Sequence, residues 1–340
     1  RCLLNLRYIK INMDNKIKSI GVLTSGGDSP GMNAAIRAVV RTCAYHGLQC
    51  QGIFRGFQGL MEGDFKEMGA RSVNNIINKG GTMLKSARSE EFKTVEGRKK
   101  AFEHLQNANI DALVVIGGDG SFKGARELHK EFKIPIIAIP GTIDNDIFGT
   151  THTLGYDTAL NTVVEVIDKI RDTASSHNRL FFIEVMGRDC GHIALNAGIG
   201  AGAEEILIPE ENLGVDRLLE SLRRSKESGK SSSIVVISEG GKIGKTVFEL
   251  KDYVEENLSE YEVRVSVLGH MQRGGAPSCF DRVLASRFGV KAVESLMDGK
   301  SNFMVGLRND AIELVPLEKA IKGSTQVDME LLRVSDIMSI

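Results

Sequence analysis

Short apolar runs recur along the chain, and each ends at a glycine or a polar turn and is followed by a longer segment with helical periodicity. Runs of this length between turn residues are typical of buried strands. The runs are residues 20–23, 52–54, 112–116, 135–139, 180–185, 206–208 and 234–237. Their alternation with amphipathic segments predicts an α/β fold with mainly parallel sheets flanked by helices.

Two helices are clear from the spacing of apolar residues. The first follows the run at residues 20–23, where apolar side chains between Met32 and Cys43 form one stripe and place Arg37 and Arg41 on a shared face. The second covers residues 158–173 and carries Arg171 near its C-terminal end.

Length and charge restrict the class of protein. A chain of 340 residues is long enough for two lobes with a cleft between them. The formal net charge of -1 predicts no general attraction to nucleic acid or to membranes. Five scattered cysteines and the lack of a 20-residue apolar run predict a cytoplasmic protein. Residues 1–12, which precede Met13, are expected to be a non-native extension.

The first candidate site is the glycine-rich segment 24–33, between a predicted strand and a predicted helix. Its backbone N–H groups could bind phosphate at the helix N-terminus, although such turns also serve for tight packing alone. Met32 and Asn33 stand where a Walker A motif requires Lys and Ser or Thr, so the segment is not a P-loop.

The second segment, 117–121, follows the apolar run at 112–116. Asp119 could hold magnesium while the neighbouring glycines bind phosphate, or it could be an ordinary helix N-cap. The third glycine of a dinucleotide-binding fingerprint is missing, which disfavours hydride chemistry.

The third segment, 140–146, again follows a predicted strand and contains two carboxylates, Asp144 and Asp146. One carboxylate could abstract a proton while the other binds a metal or stabilises charge, or the pair could simply form an Asx turn. Because parallel strands end at one edge of a sheet, the three segments are expected to converge there.

Further charged residues lie near predicted strand ends and would suit bidentate recognition of phosphate, although any one of them could be a surface ion pair. They are Arg88, Arg179, Arg188, Glu239, Arg264, His270 and Arg273.

Six segments together resemble the bacterial-type 6-phosphofructokinase family. They are residues 21–28, 80–88, 116–120, 140–146, 184–188 and 268–275. The resemblance implies transfer of phosphate from Mg²⁺-ATP to the 1-hydroxyl of fructose 6-phosphate, giving fructose 1,6-bisphosphate and ADP in glycolysis. It also implies two Rossmann-like lobes with the active site in the cleft. The ATP-binding lobe would comprise residues 13–154 and about 271–320, and the fructose 6-phosphate-binding lobe residues 155–270 and about 321–340.

The same resemblance implies roles for individual residues. Asp144 would be the base, with Thr142 beside the transferring phosphoryl group, Arg188 stabilising its charge, and Asp146 assisting. ATP would be bound by Gly27, Arg88, Ser89, Gly118, Asp119, Gly120 and Ser121, with Asp119 on the magnesium. Fructose 6-phosphate would contact Thr142, Asp144, Arg179, Met186, Gly187, Arg188, Glu239, Arg264, His270 and Arg273. Arg179 and Arg264 would come from a neighbouring subunit of a homotetramer.

Donor and effector are also implied. By the same resemblance, pyrophosphate-using members of the family have Asp and Lys at the positions of Gly120 and Gly141, so the two glycines favour ATP as the donor. Lys85 departs from the motif, because many bacterial relatives have glycine there. An effector site for ADP or phosphoenolpyruvate is implied by Arg37, Arg41, Arg171, Glu204 and Lys230. The alternatives are a pyrophosphate-dependent phosphofructokinase and a non-catalytic nucleotide sensor.

Overall fold

The computed structural model describes residues 17–177, 179–211, 215–229, 233–240 and 244–338. The extension expected at residues 1–12 and the candidate effector residue Lys230 therefore lie outside the described residues. None of the described helices is both long and apolar enough to cross a bilayer.

The described elements alternate between strands and helices for most of the chain. The strands are β1 Ser19–Ser25, β2 Gln49–Ile53, β3 Phe65–Glu67, β4 Ala112–Gly117, β5 Ile136–Pro140, β6 Leu180–Val185, β7 Glu205–Leu207, β8 Ser233–Ser238, β9 Val263–Val267, β10 Phe303–Arg308 and β11 Ala311–Pro316. The helices are α1 Met32–Tyr45, α2 Gly56–Glu62, α3 Val95–Asn107, α4 Asp119–Phe132, α5 Tyr156–His177, α6 His192–Gly200, α7 Val215–Glu227, α8 Val247–Asn257, α9 Cys279–Met297, α10 Leu317–Lys322 and α11 Met329–Met338. Two 3₁₀ turns lie at Glu91–Lys93 and Gly269–Arg273.

Within the described residues, the strands form two sheets. Seven make a larger sheet in the order β11-β10-β5-β4-β1-β2-β3, and four make a smaller sheet in the order β7-β8-β6-β9. The smaller sheet is parallel throughout, whereas the larger one has antiparallel pairs at its two edges, β2 with β3 and β10 with β11. The predicted α/β class with mainly parallel sheets is confirmed.

Apolar side chains cover both faces of each sheet. On one face of the larger sheet, Val22 and Val114 pack with Ile36 of α1 and Phe288 of α9. Smaller clusters fill the opposite face and both faces of the smaller sheet. Burial on both faces explains why these strands are continuous apolar runs rather than alternating ones. The predicted lobe boundaries at residues 154, 270 and 320 stay a prediction.

A buried carboxylate joins α9, which packs on the larger sheet, to α5, which packs on the smaller one. Asp281 is fully buried, and its carboxylate accepts hydrogen bonds from the backbone N–H groups of Gly155 and Thr158, each at 2.9 Å, and from the Thr158 hydroxyl. Burial raises the pKa of Asp281 to about 6, although these hydrogen bonds favour the charged form.

Replacing Asp281 with Ala is expected to destabilise this junction. The change leaves the N–H groups of Gly155 and Thr158 buried without an acceptor, and each such loss costs roughly 1–3 kcal/mol. We expect the thermal unfolding midpoint at pH 8 to fall by roughly 3–8 °C. Asp168→Ala, at an exposed residue of α5, is the matched control, and equal midpoints for Asp281→Ala and wild type would contradict the role.

Candidate active site

The three motif segments lie side by side at one edge of the larger sheet. They follow β1, β4 and β5, which are adjacent in the sheet and parallel. The backbone N–H of Gly141 donates to the carbonyl of Gly117 over 2.9 Å, so the second and third segments touch. A Cβ at Gly117 would lie 2.4 Å from the carbonyl oxygen of Ser25, which explains the need for glycine there. The predicted convergence is confirmed.

The loop before α3 closes over the first motif. The hydroxyl of Ser86 donates to the carbonyl of Gly26 at 2.6 Å. Arg88 and Ser89, both predicted to bind ATP, follow two and three residues later in the same loop. Arg88 is exposed, and the Ser89 hydroxyl accepts a hydrogen bond from the backbone of Phe92 at 3.2 Å.

Asp119 is the first residue of α4, and Gly118 occupies the N-cap position without a side-chain cap. The alternative in which Asp119 is itself the N-cap is therefore wrong. Its carboxylate instead lies 2.6 Å from the ammonium group of Lys123, one helical turn later. A Cβ at Gly120 would meet no atom within 4 Å, and Ser121 is buried behind it. The helix N-terminus thus presents a carboxylate beside open space.

Asp144 is the most isolated carboxylate of the third motif. It is 5% exposed, and one oxygen, Oδ1, has no hydrogen-bond partner among the described residues. The other oxygen, Oδ2, accepts from the hydroxyl of Thr142 at 3.3 Å. Burial, and secondly the charge of Asp146, raise the pKa of Asp144 above its usual range. The geometry supplies a fixed carboxylate with one oxygen available for a proton.

Arg188 faces the same site from the smaller sheet. Its backbone has a positive φ of 60°, and its N–H donates to the carboxylate of Glu239 at 3.0 Å. One nitrogen of its guanidinium, Nη1, lies 3.9 Å from Asp146. Glu239, predicted to contact the sugar phosphate, therefore also holds the turn that carries Gly187 and Arg188.

The 3₁₀ turn before α9 carries His270, which is exposed, and brings Arg273 to the first motif. Arg273 donates from Nη1 to the carbonyl of Asp28 at 3.3 Å, and a Cβ at Gly27 would lie 2.6 Å from the same nitrogen. A residue predicted to bind sugar phosphate thus touches the turn predicted to bind ATP. The side chain of Gln272, fully buried, accepts from the N–H of Met186 at 3.2 Å and fixes this turn against β6.

A cavity of about 430 Å³ lies between the start of α4, the turn that carries Arg188 and the end of α10, and neither Asp144 nor Arg273 lines it. Asp119, Asp146, Asp189 and Arg188 line it together with the segment after α10. Burial is the main cause of the raised pKa of Asp146, and the charges of Asp119 and Asp189 add to it. Lys123 and Arg188 line the same cavity, so its three carboxylates exceed its cationic side chains by one. Among the described residues, no group of three or more His, Cys, Asp or Glu side chains is placed to hold a metal ion.

Two residues predicted to bind fructose 6-phosphate, Arg179 and Arg264, lie at the end of the smaller sheet that is remote from the site. Arg179 precedes β6 and pairs with Glu262 at 3.1 Å, and Arg264 pairs with the same glutamate from β9. Met186 follows the far end of β6, a strand of six residues and therefore about 20 Å long. The structure does not bring these arginines to the site of their own chain.

The predicted effector residues form two pairs. The guanidinium of Arg171 lies 3.5 Å from Glu204 and donates to the carbonyls of Ala201 and Gly202. Arg37 and Arg41 share a face of α1, where burial and secondly the charge of Arg41 lower the pKa of Arg37. Their role in binding an effector stays a prediction.

Two residues of the site were not found from the sequence. Gln272 lies inside the motif at residues 268–275, and its position between the predicted site residues His270 and Arg273 could have indicated that it belongs to the site. Lys123 follows Asp119 by four residues on a helix, a spacing that favours an ion pair.

Comparison with known proteins agrees with the site. The family described as phosphofructokinase matches residues 19–296. ATP-dependent 6-phosphofructokinase 2 of Bacteroides thetaiotaomicron is 51% identical over 95% of this chain and 99% of its own length. ATP-dependent 6-phosphofructokinase 1 of Thermus thermophilus is also 51% identical, over 95% of this chain and all of its own.

Among solved structures, phosphofructokinase from Saccharomyces cerevisiae matches with a TM-score of 0.85 at 36% identity. The match covers 95% of this chain and 48% of the yeast chain, so this chain spans about half the length of that protein. A pyrophosphate-dependent phosphofructokinase from Marinobacter aquaeolei matches with a TM-score of 0.81 at 21% identity, over 92% of this chain and 86% of its own, and shows the shared fold alone. The chain belongs to the phosphofructokinase family.

Proposed function

We propose that this chain is an ATP-dependent 6-phosphofructokinase, a cytoplasmic glycolytic enzyme that phosphorylates the 1-hydroxyl of fructose 6-phosphate to give fructose 1,6-bisphosphate and ADP. The observation that carries the proposal is Asp144, a buried carboxylate with one oxygen that has no hydrogen-bond partner among the described residues, at the sheet edge where the three motif segments meet. Curated relatives at 51–52% identity bear the name ATP-dependent 6-phosphofructokinase, which supports the proposal.

Asp144 acts as the general base. Its free oxygen accepts the proton of the sugar 1-hydroxyl while the hydroxyl oxygen attacks the terminal phosphorus of ATP. The raised pKa brings this carboxylate closer to the working pH, where a base is most effective. The hydroxyl of Thr142, bound to the other carboxylate oxygen, keeps Asp144 in one orientation.

Arg188 stabilises the charge that spreads over the transferring phosphoryl group. Its side chain is 64% exposed, and its ion pair with Asp146 is long at 3.9 Å, so it can move onto a phosphate without losing a tight partner. Positioning and electrostatic stabilisation supply most of the catalysis in phosphoryl transfer.

Asp119 is the residue that would hold magnesium, with Asp146 near it in the same cavity. The surplus of carboxylates there fits a divalent cation, and magnesium is commonly bound by one or two carboxylates together with substrate phosphates. When bound, magnesium neutralises part of the phosphate charge. Lys123 partners Asp119 in the protein alone.

The donor is tested through Gly120. A Cβ at this position would meet no atom within 4 Å, so we expect the Gly120→Asp variant to fold normally while placing a negative charge beside the proposed phosphate position. We expect its kcat/KM with ATP to fall at least 100-fold, about 3 kcal/mol of lost transition-state stabilisation.

The assay couples fructose 1,6-bisphosphate formation to NADH oxidation, with ATP and pyrophosphate offered separately. Wild type is expected to use ATP, and Gly120→Ala is the control that fills the same space without charge. If wild type turns over with pyrophosphate but not with ATP, the family assignment stands and the proposed donor is wrong. If it turns over with neither ATP nor pyrophosphate, the result favours a nucleotide sensor.

We also propose a homotetramer in which Arg179 and Arg264 reach the 6-phosphate in a neighbouring subunit. Their position at the opposite end of β6 from Met186 supports this, because they cannot serve the site of their own chain. Sedimentation velocity should give four times the chain mass, and a monomer with full activity would exclude the arrangement.

ADP or phosphoenolpyruvate is the proposed effector, bound by Arg37, Arg41, Arg171 and Glu204. The charge of Arg41 contributes to the lowered pKa of Arg37 on the same helix face, and an anion bound between them would offset this repulsion, which supports the proposal. Thermal stability measured with each ligand tests this, and an unchanged midpoint in Arg37→Ala and wild type alike would count against it.

A further inference from the structure

Side chains at the end of β8 hold the turn at residues 186–190, which follows β6 and carries Arg188. The carboxylate of Glu239 accepts from the backbone N–H of Arg188 at 3.0 Å, and the hydroxyl of Ser238 donates to the carbonyl of Cys190 at 3.1 Å. Because β8 is the neighbour of β6, both contacts fix the turn on the smaller sheet. Neither contact reaches the larger sheet.

The thiol of Cys190 joins this turn to the third motif segment. Its Sγ donates to the carbonyl of Asp144 at 3.2 Å and to the carbonyl of Gly187 at 3.1 Å, and the side chain is buried. Because a thiol has one hydrogen, the two carbonyls share it. Asp144 follows β5 of the larger sheet, whereas Gly187 follows β6 of the smaller one. One small side chain therefore connects the backbone of the proposed base to the turn of Arg188.

A second link between the same two segments is weaker. Nη1 of Arg188 lies 3.9 Å from the carboxylate of Asp146, and the arginine side chain is exposed. Exposed ion pairs contribute little to stability. The arginine must also give up this pair when it moves onto a phosphate, whereas the Cys190 contact involves only the backbone of its two partners and need not break.

The thiol of Cys190 stays neutral at ordinary pH. Burial is the main cause that raises its pKa to about 12, and the charges of Asp146 and Asp144 act in the same direction. The thiol therefore keeps its hydrogen for donation. Nucleophilic attack and metal binding both require the thiolate, so they are disfavoured here.

We propose that Cys190 is a positioning residue, whose thiol aligns Asp144 and Arg188 on the same substrate. This inference rests on the proposed function. A displacement of about 1 Å from the reactive alignment can slow an enzyme about 10²-fold. A thiol, in contrast, is a weak donor and contributes little to the stability of the fold. Loss of the contact should therefore slow the chemical step more than it loosens the protein.

Steady-state kinetics of Cys190→Ala test this role. We expect kcat to fall about 10-fold while KM for each substrate stays within about twofold, because alignment matters most in the transition state. Cys190→Ser restores a donor of similar size and should bring kcat to within about threefold of wild type. Cys43→Ala is the matched control, since it truncates another buried cysteine, in the core on the larger sheet, and should leave kcat unchanged.

A double-variant cycle separates positioning from general loosening. In the Arg188→Ala background the group to be aligned is absent, so adding Cys190→Ala should lower kcat by less than about twofold. Three results would each overturn the positioning role: wild-type kcat in Cys190→Ala, no recovery in Cys190→Ser, or an undiminished loss in the Arg188→Ala background. A wild-type protein that forms no fructose 1,6-bisphosphate would instead refute the proposed function itself.

Discussion

Replacing Asp144 with Asn is expected to lower turnover about 10²–10⁴-fold while leaving the affinity for fructose 6-phosphate nearly unchanged. Asn fills the same space and its carbonyl can still accept from the Thr142 hydroxyl, but it cannot take a proton. The measurement is kcat and KM for the sugar phosphate at saturating Mg²⁺-ATP. A variant that retains most of its turnover would refute the role of Asp144 as base.

The pH dependence gives this variant a second signature. The base must be ionised, and burial raises the pKa of Asp144, so wild-type turnover should fall on the acid side at a higher pH than an exposed aspartate would cause. That limb should disappear in Asp144→Asn. Asp146→Asn should keep the acid limb but move it to lower pH, because the charge of Asp146 contributes to the raised pKa of Asp144.

Stability should change in the opposite direction to activity. A carboxyl with a raised folded-state pKa disfavours the folded protein as pH rises, since the unfolded chain ionises first. Above the folded-state pKa the full cost of the buried charge is present. Asp144→Asn removes that cost, and we expect its thermal midpoint at pH 8 to rise by roughly 1–4 °C.

The second large effect is expected at Arg188. Replacing it with Ala should lower kcat by about 10²–10⁴-fold, because the charge on the transferring phosphoryl group loses its main protein cation. Arg188→Lys keeps the charge without the planar fork and should recover only part of the loss.

Arg126→Ala is the matched control for this change. Arg126 is an arginine on α4 that pairs with Glu127 at 2.7 Å and lies outside the cavity of Asp119. Its loss should leave kcat within about twofold of wild type, as expected for a surface ion pair. An Arg188→Ala enzyme with near-wild-type kcat would show that another group stabilises the phosphoryl charge.

Parallel strands were the part of the fold that the sequence predicted best. Their apolar runs match β1, β4, β6 and β8 closely, because strands buried on both faces need apolar residues at every position. The strands β3, β9, β10 and β11 were missed. β3, β9 and β11 lie at sheet edges and carry exposed positions, so their patterns are mixed, whereas β10 is mostly buried and its apolar run is interrupted by Gly306. Asn309 and Asp310, both with positive φ, form the hairpin turn between β10 and β11 and were the available signal.

The motif loops of the site could be predicted because each follows a buried strand, and strand order brings their ends together. Contacts between distant segments could not. Gln272 reaches Met186, and the thiol of Cys190 donates to the carbonyl of Asp144 at 3.2 Å, across 86 and 46 positions in the chain respectively. Such contacts depend on how the two sheets pack, which local patterns do not specify.

The most direct test of the central claim is a ³¹P NMR spectrum of the wild-type protein with Mg²⁺, ATP and fructose 6-phosphate. The account predicts that the γ-phosphate signal of ATP is replaced by an equal amount of a new 1-phosphate signal of fructose 1,6-bisphosphate, together with ADP. Release of inorganic phosphate without a sugar 1-phosphate, or an unchanged spectrum, would contradict it.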